Sequence, residues 1–249
     1  MHDIEDLRYS NAEVEGLRPA TRKIFEQFDV IIVHNASMRK WMSEQGFQEG
    51  RMVELEIFDY LTSSHDFASP EIGNKVIIAG NLDPNKAGYL SALPNISDIE
   101  WNLYGANYDA ERLNAGNIVY HGSFAPEELP SKLAGSFGLV WDGPSAETCS
   151  GPMGRYLRYN NPHKLSLYLR AGLPVIVWKD SAEADFVRRY DVGIMVGSLC
   201  ELADALRKVG GERYGGFVSN CRTLSMHLQC GVFAAKALRD SLEKFGIVI

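Results

Sequence analysis

This sequence of 249 residues is poor in cysteine and lacks any long apolar run. Its four cysteines, Cys149, Cys200, Cys221 and Cys230, are too few for a disulfide scaffold. None falls in a Cys-x-x-Cys pair, and no Cys/His cluster has zinc spacing. Free thiols in a reducing compartment are therefore expected. The longest apolar stretches are of the order of Leu173–Trp178, far short of the roughly 18 residues a membrane span needs. The acidic start (Asp3, Glu5, Asp6) does not suit a secretory signal, which leads to the expectation of a cytoplasmic protein. There is no Gly-x-Gly-x-x-Gly after a strand, no Walker loop, no Gly-x-Ser-x-Gly elbow and no His-Glu-x-x-His. Asp-x-Asp is absent too, which counts against a nucleotide-sugar site built on a divalent metal through that motif. The net charge of −7 argues against a nucleic-acid partner held by bulk charge.

What remains is an ordinary globular composition, 45% apolar and 23% charged, long enough for one or two domains. The charge is uneven. Arg155, Arg158, Lys164, Arg170 and Lys179 fall between Thr148 and Lys179 with no acidic residue among them. That stretch carries +5 and leaves −12 for the rest of the chain. Such an island is either an anion site or an accidental surface cluster.

The apolar pattern alternates short strands with amphipathic helices. Leu17–Phe28 reads as a helix with Leu17, Ile24, Phe25 and Phe28 on one side, and Asp29–Val33 as a strand. Asn35 caps a helix over Ala36–Gln45, and Met52–Ile57 follows as a strand. The polar stretch Thr62–Asn74 reads as a linker. Beyond it come strands at Lys75–Ala79, Glu100–Tyr104, Asn117–His121, Phe137–Trp141, Pro174–Trp178 and Gly193–Val196. Helices are expected from Lys86, near Pro126–Leu133, and over Asn161–Ala171, Ala182–Tyr190, Leu199–Val209, Gly216–Leu228 and Val232–Phe245, with a long loop at Asp142–Tyr159. This order implies a parallel sheet covered on both faces, with ligands at the carboxyl ends of its strands.

Three loops matter most at that edge, the turn after Ala79, the loop after Tyr104 and the loop after Trp141, and three elements there carry candidate chemistry. Gly80 permits a close approach of backbone to ligand, Asn81 follows it, and Lys86 would sit in a first helical turn, where the dipole favours an anion over a cation. Lys164 would occupy the same place in the helix opened by Pro162, with Asn160 or Asn161 as its cap. Two such lysines suit a diphosphate, although a solvated surface lysine is the plainer reading of each. Asp142 could orient a sugar hydroxyl or a basic neighbour, or cap its loop. Tyr156 and Tyr159 either fill the loop or contact a base or sugar. Leu165, Tyr168 and Leu169 share a face that suits core packing.

The segments Pro162–Trp178 (PHKLSLYLRAGLPVIVW) and Ala79–Leu90 (AGNLDPNKAGYL) resemble the donor half of GT-B glycosyltransferases. With His2–Arg8 (HDIEDLR), Tyr104–Asp109 (YGANYD), FGLVWDG and YNNPHKLSLYL, they resemble one bacterial group over nearly the whole chain. That group holds glucosyltransferases that extend O-linked GlcNAc on serine-rich adhesins, and related β-1,6-galactofuranosyltransferases. The resemblance implies an α/β, GT-B-like protein with two Rossmann-like domains built on parallel sheets, the N-terminal one incomplete. Residues 1–70 would be a partial acceptor domain, 71–230 the donor domain, and 231–249 a helix crossing back. The family carries further βα units before the HD motif.

The implied function is transfer of a hexose, glucose or galactofuranose, from a UDP-sugar to a glycan or glycoprotein acceptor, inverting and metal-independent. No cofactor is implied beyond the UDP-sugar donor. A homo-oligomer stays open, and a lipid-linked acceptor would bring the chain to a membrane surface. Gly80, Asn81, Lys86, Tyr104, Asp142, Tyr159, Asn160, Asn161 and Lys164 would bind the donor, and Asp3 of the HD pair is the candidate base, with N-capping as its structural alternative. The glutamate that many GT-B enzymes use for the ribose is Leu167 here, and their first-loop arginine is Asn81. A non-catalytic UDP-sugar-binding or assembly protein, and an epimerase of the same architecture, stand as alternatives.

Overall fold

The computed structural model describes residues 3–9, 16–62 and 70–247. His2 and residues 63–69 of the expected linker lie outside the described residues. The described N-terminal residues form α1 (Glu5–Arg8), α2 (Pro19–Glu26), β1 (Ile31–Val33), α3 (Ala36–Glu44) and β2 (Met52–Glu54). β1 and β2 pair in parallel. Asn35 caps α3 as its sequence position suggested, its side chain accepting the Met38 N–H at 3.0 Å. α2 departs from the expected apolar face: Ile24 and Phe28 are more than half exposed, and only Leu17 and Phe25 pack against the local core. Thr62 is anchored rather than free in a linker, since its hydroxyl accepts from Arg170 and its carbonyl from Gln229.

The larger unit holds β3 (Lys75–Ala79), β4 (Glu100–Tyr104), β5 (Ile118–Tyr120), α4 (Leu129–Lys132), β6 (Phe137–Val140), α5 (Gly151–Tyr156), α6 (His163–Arg170), β7 (Val175–Trp178), α7 (Glu183–Tyr190), β8 (Gly193–Val196), α8 (Leu202–Arg207), α9 (Gly211–Gln229) and α10 (Val232–Glu243). Its sheet has the order β5-β4-β3-β6-β7-β8, with every described pair parallel. This is doubly wound topology: the chain leaves the sheet's centre one way, then returns to build the other half. The order reverses between β3 and β6, so their carboxyl ends flank the crevice where such sheets take ligands.

Strand alternation divides the core. Val76 and Ile78 of β3 join Trp101, Leu139 and Trp178 on one face. Ile77 and Ala79 join Tyr168, Val175 and Val177 on the other, under α6. Gly138 lets α6 close on β6, because a Cβ there would lie 2.2 Å from the Tyr168 ring. α10 returns to the N-terminal residues: Asp59 accepts the N–H groups of Phe233 and Ala234, and Lys236 pairs with Glu56 at 3.2 Å.

Three expectations are corrected. No α-helix starts at Lys86. Asn81 and Asp83 bend the backbone by accepting the N–H groups two residues on, and a 3-10 helix begins only at Gly88 and contains Pro94. The loop Asp142–Tyr159 contains α5, with proline in its first turn. Pro162, not an asparagine, is the N-cap residue of α6, and no side chain caps that helix.

Candidate functional site

The crevice at the switch point is built from the loop after β3, the loop after β6 and the start of α6. Gly80 leaves β3 at φ 136°, which disfavours any side chain. Its N–H donates to the Tyr104 carbonyl, and a Cβ on Gly105 would meet the Gly80 oxygen at 1.7 Å. The loops after β3 and β4 therefore touch backbone to backbone, and both glycines are required. The Tyr168 hydroxyl accepts the buried Ala79 N–H at 2.8 Å, which fixes the end of β3 to α6.

Lys164 lies across this floor, its Cε 3.5 Å from where a Gly80 Cβ would be. Its Nζ donates to the Trp141 carbonyl at 3.0 Å and to Asp142 Oδ1 at 2.9 Å. Burial works against the Lys164 charge, but Asp142, with Tyr168 and Cys149 adding, outweighs it and the ammonium pKa is raised. Asp142 thus orients a basic neighbour. Lys86 is half-buried across the same space. Burial lowers its pKa, Asp142 opposes this, and Lys164 and Arg8 add to it. These groups act on one another through the crevice.

Two pockets meet along Gly80, His163 and Lys164. One, of about 470 Å³, is lined by Tyr60, Phe124, Leu129 and Leu167, with Asp59 and Glu127 as its carboxylates. The other, of about 240 Å³, is polar: Asp3, Arg8, Lys86, Asp142, Asn160 and Lys164 face it together with His34 and Met153. Asp3 does not cap α1, whose N-cap is Ile4. It pairs with Arg8 at 2.7 Å, and its charge adds to burial in raising the pKa of the Tyr156 hydroxyl.

The structure thus brings Asp3, Gly80, Asn81, Lys86, Asp142, Asn160, Asn161 and Lys164 to one place. It gives Asn161 a tying role: its side-chain amide donates to the carbonyls of His34 and Glu56, and its Oδ1 accepts from Asn35. Tyr104 is buried, stacked on His121 at 4.5 Å with its hydroxyl accepting the Ala134 N–H. Tyr159 packs edge-on to Trp41, 6.4 Å between centroids. Neither tyrosine lines the two pockets.

The basic island is not a patch. Arg170 is buried against Thr62 and Ser225, Arg158 lies over the Trp178 ring, and Lys179 is exposed beyond β7. Only Lys164 of the five lines the polar pocket. Arg8 does line it, and sequence reasoning passed over it within the quoted HDIEDLR segment. Glu183, the first residue of α7, was also missed. It is 1% exposed, neither carboxylate oxygen has a hydrogen-bond partner, and burial, with Asp142 adding, raises its pKa far above the ordinary value.

Comparison with known proteins agrees with this architecture. The family described as "Glucosyltransferase 3-like, C-terminal domain" matches residues 76–241, and its N-terminal counterpart matches residues 1–57. The chain is 37% identical to the β-1,6-galactofuranosyltransferase WbbI of Escherichia coli K12, over 98% of this chain and 69% of that protein. It is 27% identical to glucosyltransferase 3 of Streptococcus gordonii, over 97% of this chain and 69% of that protein. Among solved structures, a glycosyltransferase from Rickettsia africae aligns with a TM-score of 0.60 at 12% identity, covering 93% of this chain and 69% of that one. The Anabaena protein HepE in complex with UDP aligns with a TM-score of 0.53 at 16% identity, covering 86% of this chain and 65% of that one.

Proposed function

The chain belongs to the glucosyltransferase 3-like family and has the GT-B fold, and from that premise we propose that it transfers a hexose from a UDP-sugar to a glycan or glycoprotein acceptor. The observation that carries this reading is the pair of pockets joined across Gly80 and Lys164. The apolar pocket, with Phe124, Leu129 and Leu167, suits a nucleoside. Lys164, Lys86 and the open N-terminus of α6 suit the diphosphate at the junction. The polar pocket takes the sugar, with Asp142 and Asn160 as its hydrogen-bonding groups. Names of relatives support glucose or galactofuranose as the sugar. On this reading residues 71–230 hold the donor, residues 1–70 face the acceptor, and α10 joins the two.

The chemistry is a single displacement. The acceptor hydroxyl oxygen attacks the anomeric carbon, the carbon–oxygen bond to UDP breaks, and configuration inverts. Asp3 takes the hydroxyl proton. Two lysines stabilise the charge that grows on the departing diphosphate, a role that a metal fills in other sites. UDP release, measured with UDP-glucose and UDP-galactofuranose and a panel of glycan acceptors, tests this. Release that needs both donor and acceptor supports it, and an epimerised nucleotide sugar formed without acceptor refutes it.

A further inference from the structure

The polar pocket holds three cations and two carboxylates, and they are not equivalent. Lys164 is paired with Asp142, the two side chains only 13% and 12% exposed. Arg8 is paired with Asp3, the two side chains 27% and 31% exposed. Lys86 has no ion-pair partner among the described residues. The Asp3–Arg8 pair is the more solvated, and so the less costly to open. The Tyr156 hydroxyl accepts the Ile4 N–H at 3.0 Å, and burial, with the Asp3 charge adding, raises its pKa. The Arg8 guanidinium donates to Asp3 and lies over the Tyr9 ring, 5.4 Å from its centroid. Its charge already reaches Lys86 across the pocket.

A guanidinium binds a phosphate with the same two-pronged geometry it uses on a carboxylate, and a diphosphate carries more charge than one carboxylate. We propose that Arg8 exchanges partners, leaving Asp3 for the donor diphosphate, so that donor binding frees the Asp3 carboxylate to receive the acceptor's proton. Arg8 is then a positioning residue that couples the two substrates and makes the donor bind first. This rests on the reading of Asp3 as the base and of the junction as the diphosphate site.

The test is UDP affinity by calorimetry for the wild type, Asp3→Asn, Arg8→Gln and the double variant. Exchange predicts that Asp3→Asn tightens UDP by about two- to fivefold, the scale of a partly exposed pair, while removing transfer. Arg8→Gln weakens UDP, and Asp3→Asn then has no further effect in that background. Arg8→Lys, which keeps the charge, restores part of the loss and guards against a folding defect. Unchanged affinity in Asp3→Asn overturns the proposal. So does equal tightening with and without Arg8, which would mean that Asp3 acts only as a repulsive charge. Failure of the wild type to bind UDP overturns the donor-site reading itself, and the exchange with it.

Discussion

Replacing Glu183 by glutamine should stabilise the protein, and increasingly so as pH rises. Glu183 is buried at the start of α7 with both carboxylate oxygens unpartnered. The helix N-terminus favours its ionised form, but burial dominates, Asp142 adds to it, and the folded-state pKa lies far above the reference value of 4.5. Above pH 4.5 the unfolded chain gives up this proton and the folded protein keeps it. The folded state then binds more protons, so stability falls with rising pH until the folded pKa is reached. The loss is about 1.4 kcal/mol per pH unit. Between pH 4.5 and 7.5 it is therefore bounded at about 4 kcal/mol. Glutamine has the same shape, the same unpartnered polar atoms and no titration. Urea unfolding followed by circular dichroism at pH 4.5, 6.0 and 7.5 reads the difference. The two proteins should be nearly equal at pH 4.5, with the variant gaining at each step above it. A gap independent of pH, or a wild type more stable at pH 7.5, would refute the reasoning.

Two substitutions probe how the crevice is held. Asn161→Ala removes three side-chain hydrogen bonds that tie the loop before α6 to His34, Asn35 and Glu56. It should cost about 2–4 kcal/mol, seen as a lowered thermal midpoint, with a loss below 0.5 kcal/mol contradicting the tie. Gly105→Ala places a Cβ 1.7 Å from the Gly80 oxygen and forces the loop after β3 to move. UDP binding should weaken at least about fivefold for a backbone strain of roughly 1–3 kcal/mol, and unchanged affinity would show that this loop does not touch the donor.

The sheet was legible because its central strands β6 and β7 are buried throughout and read as apolar runs. Lys75–Ala79, Glu100–Tyr104 and Gly193–Val196 were placed to the residue. The Asn35 cap was legible because capping is local chemistry. The helix expected from Lys86 starts only at Gly88 and as a 3-10 helix, since Asx hydrogen bonding competes with helix initiation over the residues before it. α5 was hidden by its glycines and proline. At the site, Lys86, Asp142 and Lys164 were accessible because they follow strands at the sheet's ligand edge. Tyr104 and Tyr159 line neither pocket, because position next to a motif does not reveal where a side chain points. Arg8 reaches the pocket from the far end of the chain by packing of α1 against α5, and no local pattern records that. Its one available signal was its place in the HDIEDLR segment. The basic island failed as a patch because consecutive elements send their cations in different directions, and Arg170 faces the core.

The central claim is that Lys86 and Lys164 hold a nucleoside diphosphate where the two pockets meet. It is tested most directly by calorimetric titration of UDP, UMP and uridine into the wild type and into Lys164→Met. Affinity in the wild type should rise from uridine through UMP to UDP. The variant should lose most of the gain from the second phosphate, about 1.5–3 kcal/mol for a charge-assisted contact. Equal affinity for all three ligands, or a preference for UDP that survives the loss of Lys164, would contradict the account.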